Sequence, residues 1–477
     1  MNLPTRITAA LRNPILQAAL DRNAERRRQG RDRAFAELSA AEAVRDRARA
    51  VRLETLAHLD RYLEQFVDNF ERHGGRAHWA PDAAAARGIV LDIVQAAMRQ
   101  YPRQHDRAAV PLVAKSKSML SEEIGLNAAL EAAGWRVVET DLGEFIVQLR
   151  GERPAHIITP AVHLRREEVA ALFGQHFGMA PSRDVKDMTA VARAQLRRVF
   201  FDAVVGISGV NLAVAESGSL ILLTNEGNGR LVTTVPPVHI ALLGIERLTP
   251  TLADGEILLR VLPRSASAQK VTSYISLLQG PRRPGEPIGV QERHVVLIDN
   301  GRSRLLGSER AEALLCLRCG ACLNACPVFR EIGGHAYGAV YPGPIGLAIA
   351  PDLCGYEFCE LAGLSTLCGA CREVCPVRID LPRLALQLRG IALYRQQQPG
   401  WLRWGMWMYA QVMASSGRYV LAQRMAAWVT AGLARVNRLR SLPPPLNAWT
   451  ARRDFPRLAT ETFRKRWKRR NAGGRRA

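Results

Sequence analysis

The sequence predicts an α/β domain with a largely parallel sheet, followed by a small α-helical cysteine-rich domain and a helical basic tail. Between about residues 75 and 300, short apolar runs alternate with segments of helical periodicity. All nine cysteines lie from Cys316 to Cys375, within 60 of the 477 positions. Beyond residue 385, acidic residues are nearly absent. We therefore expect four regions, residues 1–65, 66–300, 301–385 and 386–477.

Residues 1–65 have the pattern of a helical arm rich in charged residues. Leucines recur at spacings of three and four, at Leu53, Leu56, Leu59 and Leu63. This pattern predicts a solvated arm with a single packing face. A nucleic-acid-binding arm is the alternative, because residues 26–33 are rich in arginine, but Glu25 and Asp32 weaken it.

Residues 66–300 alternate between strand and helix, which is typical of parallel sheets covered by helices. Strands are predicted over residues 110–114, 136–139, 145–149, 156–159, 203–207, 219–224 and 238–243. Helices are predicted over residues 121–134, 165–173 and 188–201. Lys115 and Lys117 are two of only six lysines in the chain. They stand where a strand meets a helix start, so they either bind a carboxylate or phosphate or lie in a solvated loop.

The first cysteine motif has the spacing of bacterial ferredoxins, Cys316, Cys319, Cys322 and Cys326 followed by Pro327. Three thiolates two residues apart on a tight loop reach three irons of one cubane, and the fourth points away to a second cluster. Gly320 lets the loop approach the cluster closely. Structural zinc needs only pairs of cysteines separated by two residues, so it explains the four-cysteine spacing less well. A redox disulfide also explains it less well. The motif predicts a 4Fe–4S cluster.

A second, incomplete copy follows at Cys368, Cys371 and Cys375, and Ser365 stands where its first cysteine would fall. The ferredoxin crossover assigns Cys316, Cys319, Cys322 and Cys375 to cluster one and Cys326, Cys368 and Cys371 to cluster two. The fourth ligand of cluster two is open. Cys359 is a candidate because it lies just upstream in a loop that can fold back, and Cys354 is a weaker one. The alternatives are a Ser365 alkoxide, or a labile or open corner.

Several function classes are disfavoured by absent features. No Gly-x-Gly-x-x-Gly motif follows a strand at a helix start, so no nucleotide fingerprint is present. No run of 18 apolar residues and no secretory signal occur, which predicts a cytoplasmic protein. In that reducing compartment, clustered cysteines bind metal more often than they form structural disulfides.

The tail carries most of the excess positive charge of the chain. The whole sequence has 66 Lys or Arg against 44 Asp or Glu, a net of +22, and residues 386–477 contribute 19 basic and two acidic residues. Six of the eight tryptophans are also here. This composition predicts either a solvated end or contact with an acidic partner subunit or an anionic membrane surface. Nucleic acid is the least favoured partner, because no recognisable binding module accompanies the charge.

Several further segments, taken with the cysteine motifs, resemble one family over nearly the whole chain. They are residues 74–80, 115–118, 121–127, 139–144, 209–219 and 224–230. In order and spacing they are similar to the lactate-utilisation protein B family. The resemblance implies a LUD domain related to the NagB/RpiA/CoA-transferase-like fold, then a ferredoxin-type domain with two 4Fe–4S clusters. It also implies a multi-subunit complex that oxidises L-lactate to pyruvate, with this chain as its electron carrier.

Two other functions remain open at this point. Glu216, in a glycine turn, resembles the attacking glutamate of CoA-transferase-like enzymes, so the LUD domain is alternatively itself catalytic on a hydroxy acid or acyl group. The more ordinary role for Glu216 is binding backbone amides. Residues 225–230 form either an anion-binding turn or a plain hairpin loop. His239 and His335 are not assigned to a site. The third possibility is a redox sensor that acts through its clusters.

Overall fold

A computed structural model describes residues 2–101, 110–182, 184–395, 400–433, 438–444, 446–451 and 453–473. The chain forms two compact units, Met1–Ile391 and Ala392–Ala477.

The first unit is organised around a six-stranded parallel sheet with the strand order β1-β10-β7-β4-β2-β3. Its strands are β1 (Arg76–Ala80), β2 (Leu112–Lys115), β3 (Arg136–Glu139), β4 (Val205–Gly209), β7 (Val238–Gly244) and β10 (Glu292–Ile298). A four-stranded sheet of order β8-β5-β6-β9 is formed by β5 (Leu212–Val214), β6 (Ser219–Thr224), β8 (Leu248–Thr249) and β9 (Tyr274–Leu278). The predicted α/β domain with a largely parallel sheet is therefore present.

Helices cover both faces of the parallel sheet, and alternate strand residues face opposite cores. From β2, Val113 faces one core, with α5 (Ala83–Gln100) and α7 (Leu126–Ala132). Its neighbours Leu112 and Ala114 face another. That second core includes α8 (Leu142–Leu149), α9 (Arg166–Phe177) and α10 (Val185–Asp202). Burial on both faces explains why the central strands β2, β4 and β7 are largely apolar.

Two predicted strands are wrong. Residues 145–149 belong to helix α8, because the Asp141 side chain accepts a hydrogen bond from the Glu144 N–H and caps it. Residues 156–159 form no strand, because the His156 ring accepts from the Ile158 and Thr159 N–H groups at 3.0 and 3.3 Å and folds the chain into a turn. Short apolar runs do not distinguish a strand from a buried helix.

The helix predicted over residues 121–134 is divided in two. Gly125 has a φ of +64° and separates α6 (Met119–Glu123) from α7. Residues 225–230 are not a plain hairpin loop, because helix α11 (Asn228–Val232) begins there. Their role as an anion-binding turn stays a prediction.

The N-terminal region is helical, as predicted, but it is not a solvated arm. Its helices are α1 (Leu3–Leu11), α2 (Pro14–Ala36), α3 (Ala41–Ala57) and α4 (Leu59–Arg72). Together with α12 (Leu252–Ser267), residues of the first three share one apolar core with the cysteine-rich region. Arg52 is fully buried, and its guanidinium donates to the carbonyls of Glu246, Leu248, Leu314 and Leu315. Arg52 therefore holds α3 against the cysteine-rich region rather than facing solvent.

The cysteine-rich region consists of short helices joined by turns, as its glycines and prolines predict. The α-helices are α13 (Arg302–Leu306), α14 (Ala321–Ala325), α15 (Pro327–Ile332), α16 (Gly343–Leu353), α17 (Ala370–Glu373) and α18 (Leu381–Tyr394). The 3₁₀ helices of the unit are η1 (Ile245–Arg247), η2 (Ala311–Leu315), η3 (His335–Tyr337) and η4 (Tyr356–Leu364).

The second unit is mostly helical. It contains α19 (Gly400–Met413), α20 (Ser416–Leu433), α21 (Asn447–Thr450), α22 (Phe463–Gly473) and a small antiparallel pair, β11 (Arg438–Leu439) and β12 (Phe455–Pro456). All six of its tryptophans are exposed, namely Trp401, Trp404, Trp407, Trp428, Trp449 and Trp467. Among the helices of the described residues, none has the length and apolar character needed to cross a membrane.

Candidate iron–sulfur site

The first cysteine motif is a loop between two short helices. Cys316 ends η2, and its Sγ accepts a hydrogen bond from the Arg318 N–H at 3.3 Å. Arg318 has a φ of +57° and Gly320 one of +74°, so the chain reverses and Gly320 starts α14. A Cβ on Gly320 would lie 3.1 Å from the His156 ring, so this glycine also lets the α/β region pack closely on the loop. Cys326 then begins α15.

The second motif repeats this loop almost residue for residue. Ser365 ends η4, and its Oγ accepts from the Leu367 N–H at 3.2 Å. Leu367 has a φ of +57°, and Gly369, at +85°, starts α17. The Ser365 hydroxyl therefore occupies the loop position that the Cys316 thiol occupies in the first motif.

Four of the predicted ligands surround one small cavity. They are Cys316, Cys319, Cys322 and Cys375, and Leu317 closes one side. Burial, with help from neighbouring thiols, raises the pKa of Cys319 to about 12 and that of Cys375 to about 11. Four thiolates this close repel one another unless a metal centre binds them. The donor set, four soft sulfurs around a single void, fits a 4Fe–4S cluster.

The other three motif cysteines form a second group. The pKa of Cys371 is raised to about 12 by burial and by the neighbouring Cys326 and Cys368. Cys368 is exposed, and hydrogen bonds from Thr366 and the Ala370 backbone lower its pKa. This group is thus closer to solvent than the first, and three thiols contribute to it.

The two remaining cysteines have different surroundings. Cys354 caps the end of α16, where burial and the nearby Glu123 together raise its pKa to about 12. Cys359 lies buried in η4. The role of Cys359 as a fourth ligand stays a prediction.

Arginines from α3 hold the chain around Cys375, a feature that sequence analysis missed. Arg45 donates to the carbonyls of Glu373 and Cys375 at 2.6 and 2.8 Å. Arg49 donates to the Val377 carbonyl at 3.1 Å. Arg45, Arg49 and Arg52 are spaced by four and three residues, so they share one helix face. That spacing is the sequence signal that would have identified them.

A buried ion-pair network joins the sheet to the cysteine-rich region. The Arg302 guanidinium contacts Glu123 at 2.8 Å and Glu246 at 2.6 Å. Arg318, from the first cysteine loop, reaches the same Glu246 at 3.4 Å. Burial alone would raise the pKa of Glu246, but Arg302, Arg247 and Arg318 outweigh it and hold that pKa at about 2.

Most of the polar residues that sequence analysis singled out besides the cysteines have structural roles. Lys115 is buried in an ion pair with Glu139 at 2.6 Å, so it is neither a solvated lysine nor an anion site. Glu216 accepts from the Leu252 N–H at 2.6 Å, the backbone-binding role. His239 lies in the core, 2.8 Å from the Ser208 hydroxyl. His335 donates to the Arg153 carbonyl at 2.7 Å. Lys117 instead lines a large cavity, as do Asn225, Glu226 and Asn228 from the segment that follows β6.

The fold and the two thiol groups define an iron–sulfur protein in which an α/β domain precedes a 4Fe–4S domain. In agreement, residues 63–298 match the family described as LUD domain, and residues 312–379 match the 4Fe-4S dicluster domain. The predicted fold class is confirmed by these matches. The chain also belongs to the lactate utilization protein B family, as the resemblance in sequence implied.

Three relatives show how far the similarity extends. Lactate utilization protein B of Bacillus licheniformis is 40% identical over 96% of this chain and 94% of its own length. The protein of the same name from Geobacillus sp. is 40% identical over 99% of this chain and 98% of its own length. The one from Anoxybacillus flavithermus is 41% identical over 96% of this chain and 96% of its own length. A crystal structure of a duf162 family protein from Deinococcus radiodurans aligns with 50% of this chain and 98% of its own, at 14% identity and a TM-score of 0.28.

Proposed function

We propose that this chain is the iron–sulfur electron-transfer subunit of a complex that oxidises L-lactate to pyruvate. The observation that carries the proposal is the pair of adjacent thiol groups, one buried and one near solvent. Cys322, of the first group, has its pKa raised by burial, by Cys316 and Cys319, and also by Cys371 of the second. Relatives named for lactate utilisation support the choice of lactate.

In this proposal the first group holds cluster one through Cys316, Cys319, Cys322 and Cys375, and the second holds cluster two through Cys326, Cys368 and Cys371. Bound 4Fe–4S clusters supply one-electron transfer. The protein sets the environment of their ligands. The Arg318 and Ile379 N–H groups donate to the Cys316 and Cys375 sulfurs at 3.3 and 3.4 Å. Such hydrogen bonds stabilise negative charge on sulfur and raise a cluster potential.

Burial gives the two groups different roles. The first lies against the LUD domain, since Gly320 packs on His156, and its thiols Cys319, Cys322 and Cys375 are buried. The second reaches solvent at Cys368. We infer that electrons are exchanged with a partner subunit on the Cys368 side.

For the fourth ligand of cluster two, Ser365 and Cys359 are the competing candidates. The repeated loop geometry favours Ser365, whose Oγ takes the place of a motif thiol. An alkoxide is a harder ligand than a thiolate, so this corner is expected to be labile. Cys359→Ser and Ser365→Ala separate the two, because only the variant that removes the ligand alters the spectrum of cluster two.

The second unit is proposed as a docking segment for a partner subunit or an anionic membrane surface. Trp401, Trp404 and Trp407 are exposed on one helix, α19, and Arg403 lies between them. Flotation of the protein with anionic vesicles, compared with neutral vesicles, tests binding to a membrane surface. Pull-down of the partner subunits by the intact chain tests the other.

The proposal as a whole is tested with protein purified without oxygen. We expect about eight irons and eight sulfides per chain and a brown colour. When lactate and the partner subunits are added, the EPR signals of reduced clusters should appear. Colourless protein without iron, or clusters that stay oxidised in the complete complex, would contradict it.

A further inference from the structure

A large cavity lies at the carboxyl ends of the central strands of the parallel sheet. Its volume is about 420 Å³. The residues that follow β2, the end of β4 and the end of β7 form its floor, namely Ser116–Ser118, Gly209–Asn211 and Gly244. The chain leaves β2 toward β3 on one side and returns to β4 on the other, so β2 and β4 mark the switch point of the sheet. Ligands of open α/β sheets bind at this position.

The opposite wall of the cavity comes from the first cysteine loop. Leu317 and Arg318 both line it, together with Tyr341. Leu317 also lines the small cavity surrounded by Cys316, Cys319, Cys322 and Cys375. Leu317 therefore borders both the large cavity and the first thiol group.

Two buried cationic donors in this cavity have unused hydrogen-bonding capacity. Among the described residues, neither Lys117 Nζ nor Arg318 Nη1 has a hydrogen-bond partner, although both atoms are buried. The acidic group paired with Lys117 is Glu144, at 3.8 Å. The Arg318 side chain is 9% exposed and lies with its guanidinium 4.5 Å from the centre of the Tyr341 ring, while Glu246 is shared with Arg302. Buried donors of this kind are rarely left unpaired in native proteins.

The rest of the lining combines polar residues, among them the carboxylates Asp141, Glu226 and Glu246, with apolar ones. The apolar walls are formed by residues that include Ile158, Leu222, Leu242 and Leu262. A fully hydrated anion such as phosphate gains nothing from such walls, whereas an organic acid places its carbon skeleton against them.

We propose that this cavity binds an organic carboxylate, with its charged group on Lys117 and Arg318 and its carbon skeleton against the leucines. The proposal of a binding site depends only on these contacts and not on the proposed electron-transfer function. The consequence that a bound acid lies beside cluster one, across Leu317, rests on the proposed electron-transfer function.

The test is calorimetric titration of the cluster-loaded full chain with L-lactate, pyruvate, octanoate and inorganic phosphate. Lactate and pyruvate probe a short skeleton, octanoate a long one, and phosphate a charge without a skeleton. We expect saturable binding of at least one carboxylate, weakened at least tenfold by Lys117→Met. Lys186→Met, a change at an exposed lysine outside the cavity lining, should leave it unchanged.

A second variant guards against a folding defect. Lys117→Arg keeps the charge and should retain binding within a few fold, and iron content measured beside each titration shows whether the clusters remain. Absence of binding by all three carboxylates, equal binding of phosphate, or equal affinity in Lys117→Met would overturn the proposal. If lactate and the partner subunits still reduce the clusters in such a case, the electron-transfer function survives and only the cavity assignment fails.

Discussion

The two cysteine motifs share one backbone and differ in what the protein places around it. Each loop follows a 3₁₀ helix, contains a residue with a φ of +57° and ends at a glycine that begins the next α-helix. The first group has four thiols and is mostly buried, whereas the second has three thiols, a serine at the remaining position and one exposed cysteine. Local sequence thus determines the loop, and tertiary packing determines how well each group is enclosed.

The largest expected effect comes from breaking the first group. Cys319→Ser should remove about half of the iron, because one of four thiols around a single void is lost. Iron analysis and EPR of the reduced protein measure this. Cys354→Ser is the matched control and should keep all the iron, since Cys354 has Glu123 rather than a thiol as its main charged neighbour. Equal losses in both variants would refute the assignment.

The support of the first loop by the N-terminal helices gives the next effect. Arg52→Met leaves four carbonyls, including those of Leu314 and Leu315 just before Cys316, without their buried donor. We expect a loss of about 3–5 kcal/mol in the free energy of unfolding. Denaturant unfolding without oxygen measures it. The control Arg47→Met removes an exposed ion pair with Asp254 and should cost less than about 1 kcal/mol.

The buried Glu144 beside the large cavity predicts a smaller, pH-dependent effect. Burial raises its pKa to about 8, in spite of the nearby Lys117. Because the pKa of Glu144 is higher in the folded than in the unfolded chain, the protonated side chain stabilises the fold. This contribution to the free energy of unfolding is complete below about pH 4.5 and is lost as the pH rises to about 8. The glutamine in Glu144→Gln does not ionise, so the free energy of unfolding of this variant, minus that of wild type, should increase as the pH rises through this interval. A difference in the free energy of unfolding that does not change between pH 5 and 8 would count against it.

The smallest effect concerns the incomplete corner of the second group. Ser365→Cys supplies the missing thiolate and should slow the loss of iron from cluster two in air, with little change in total iron. The EPR signal of cluster two should shift, while that of cluster one stays as in wild type. Ser365→Ala should make the corner more labile. If neither change affects the signal and Cys359→Ser does, Cys359 is the ligand.

Much of the cysteine-rich region was predictable because its information is local. The spacing of Cys316 to Cys326 identified a 4Fe–4S motif, and the matches to the LUD and dicluster families confirm the fold class. Strands β3 and β6 lie at the predicted residues. The strand predicted over residues 145–149 was wrong because a short apolar run suits either a strand or a buried helix. The Asp141 cap favours the helix.

What sequence analysis missed depends on contacts between distant residues. Arg45 and Arg52 reach carbonyls more than 190 positions away, and only the fold brings these groups together. The large cavity likewise needs Lys117 from the segment after β2 and Arg318 from the first cysteine loop. The equivalence of Ser365 with Cys316 was visible in the spacing, but the matching hydrogen bonds were not.

The most direct test of the central claim is EPR of the fully reduced chain, with the spins counted. Two differently enclosed thiol groups should give about two spins per chain, and their proximity should broaden the signals by magnetic interaction. About one spin per chain, with a single narrow signal that Cys319→Ser abolishes, would contradict the account of two clusters.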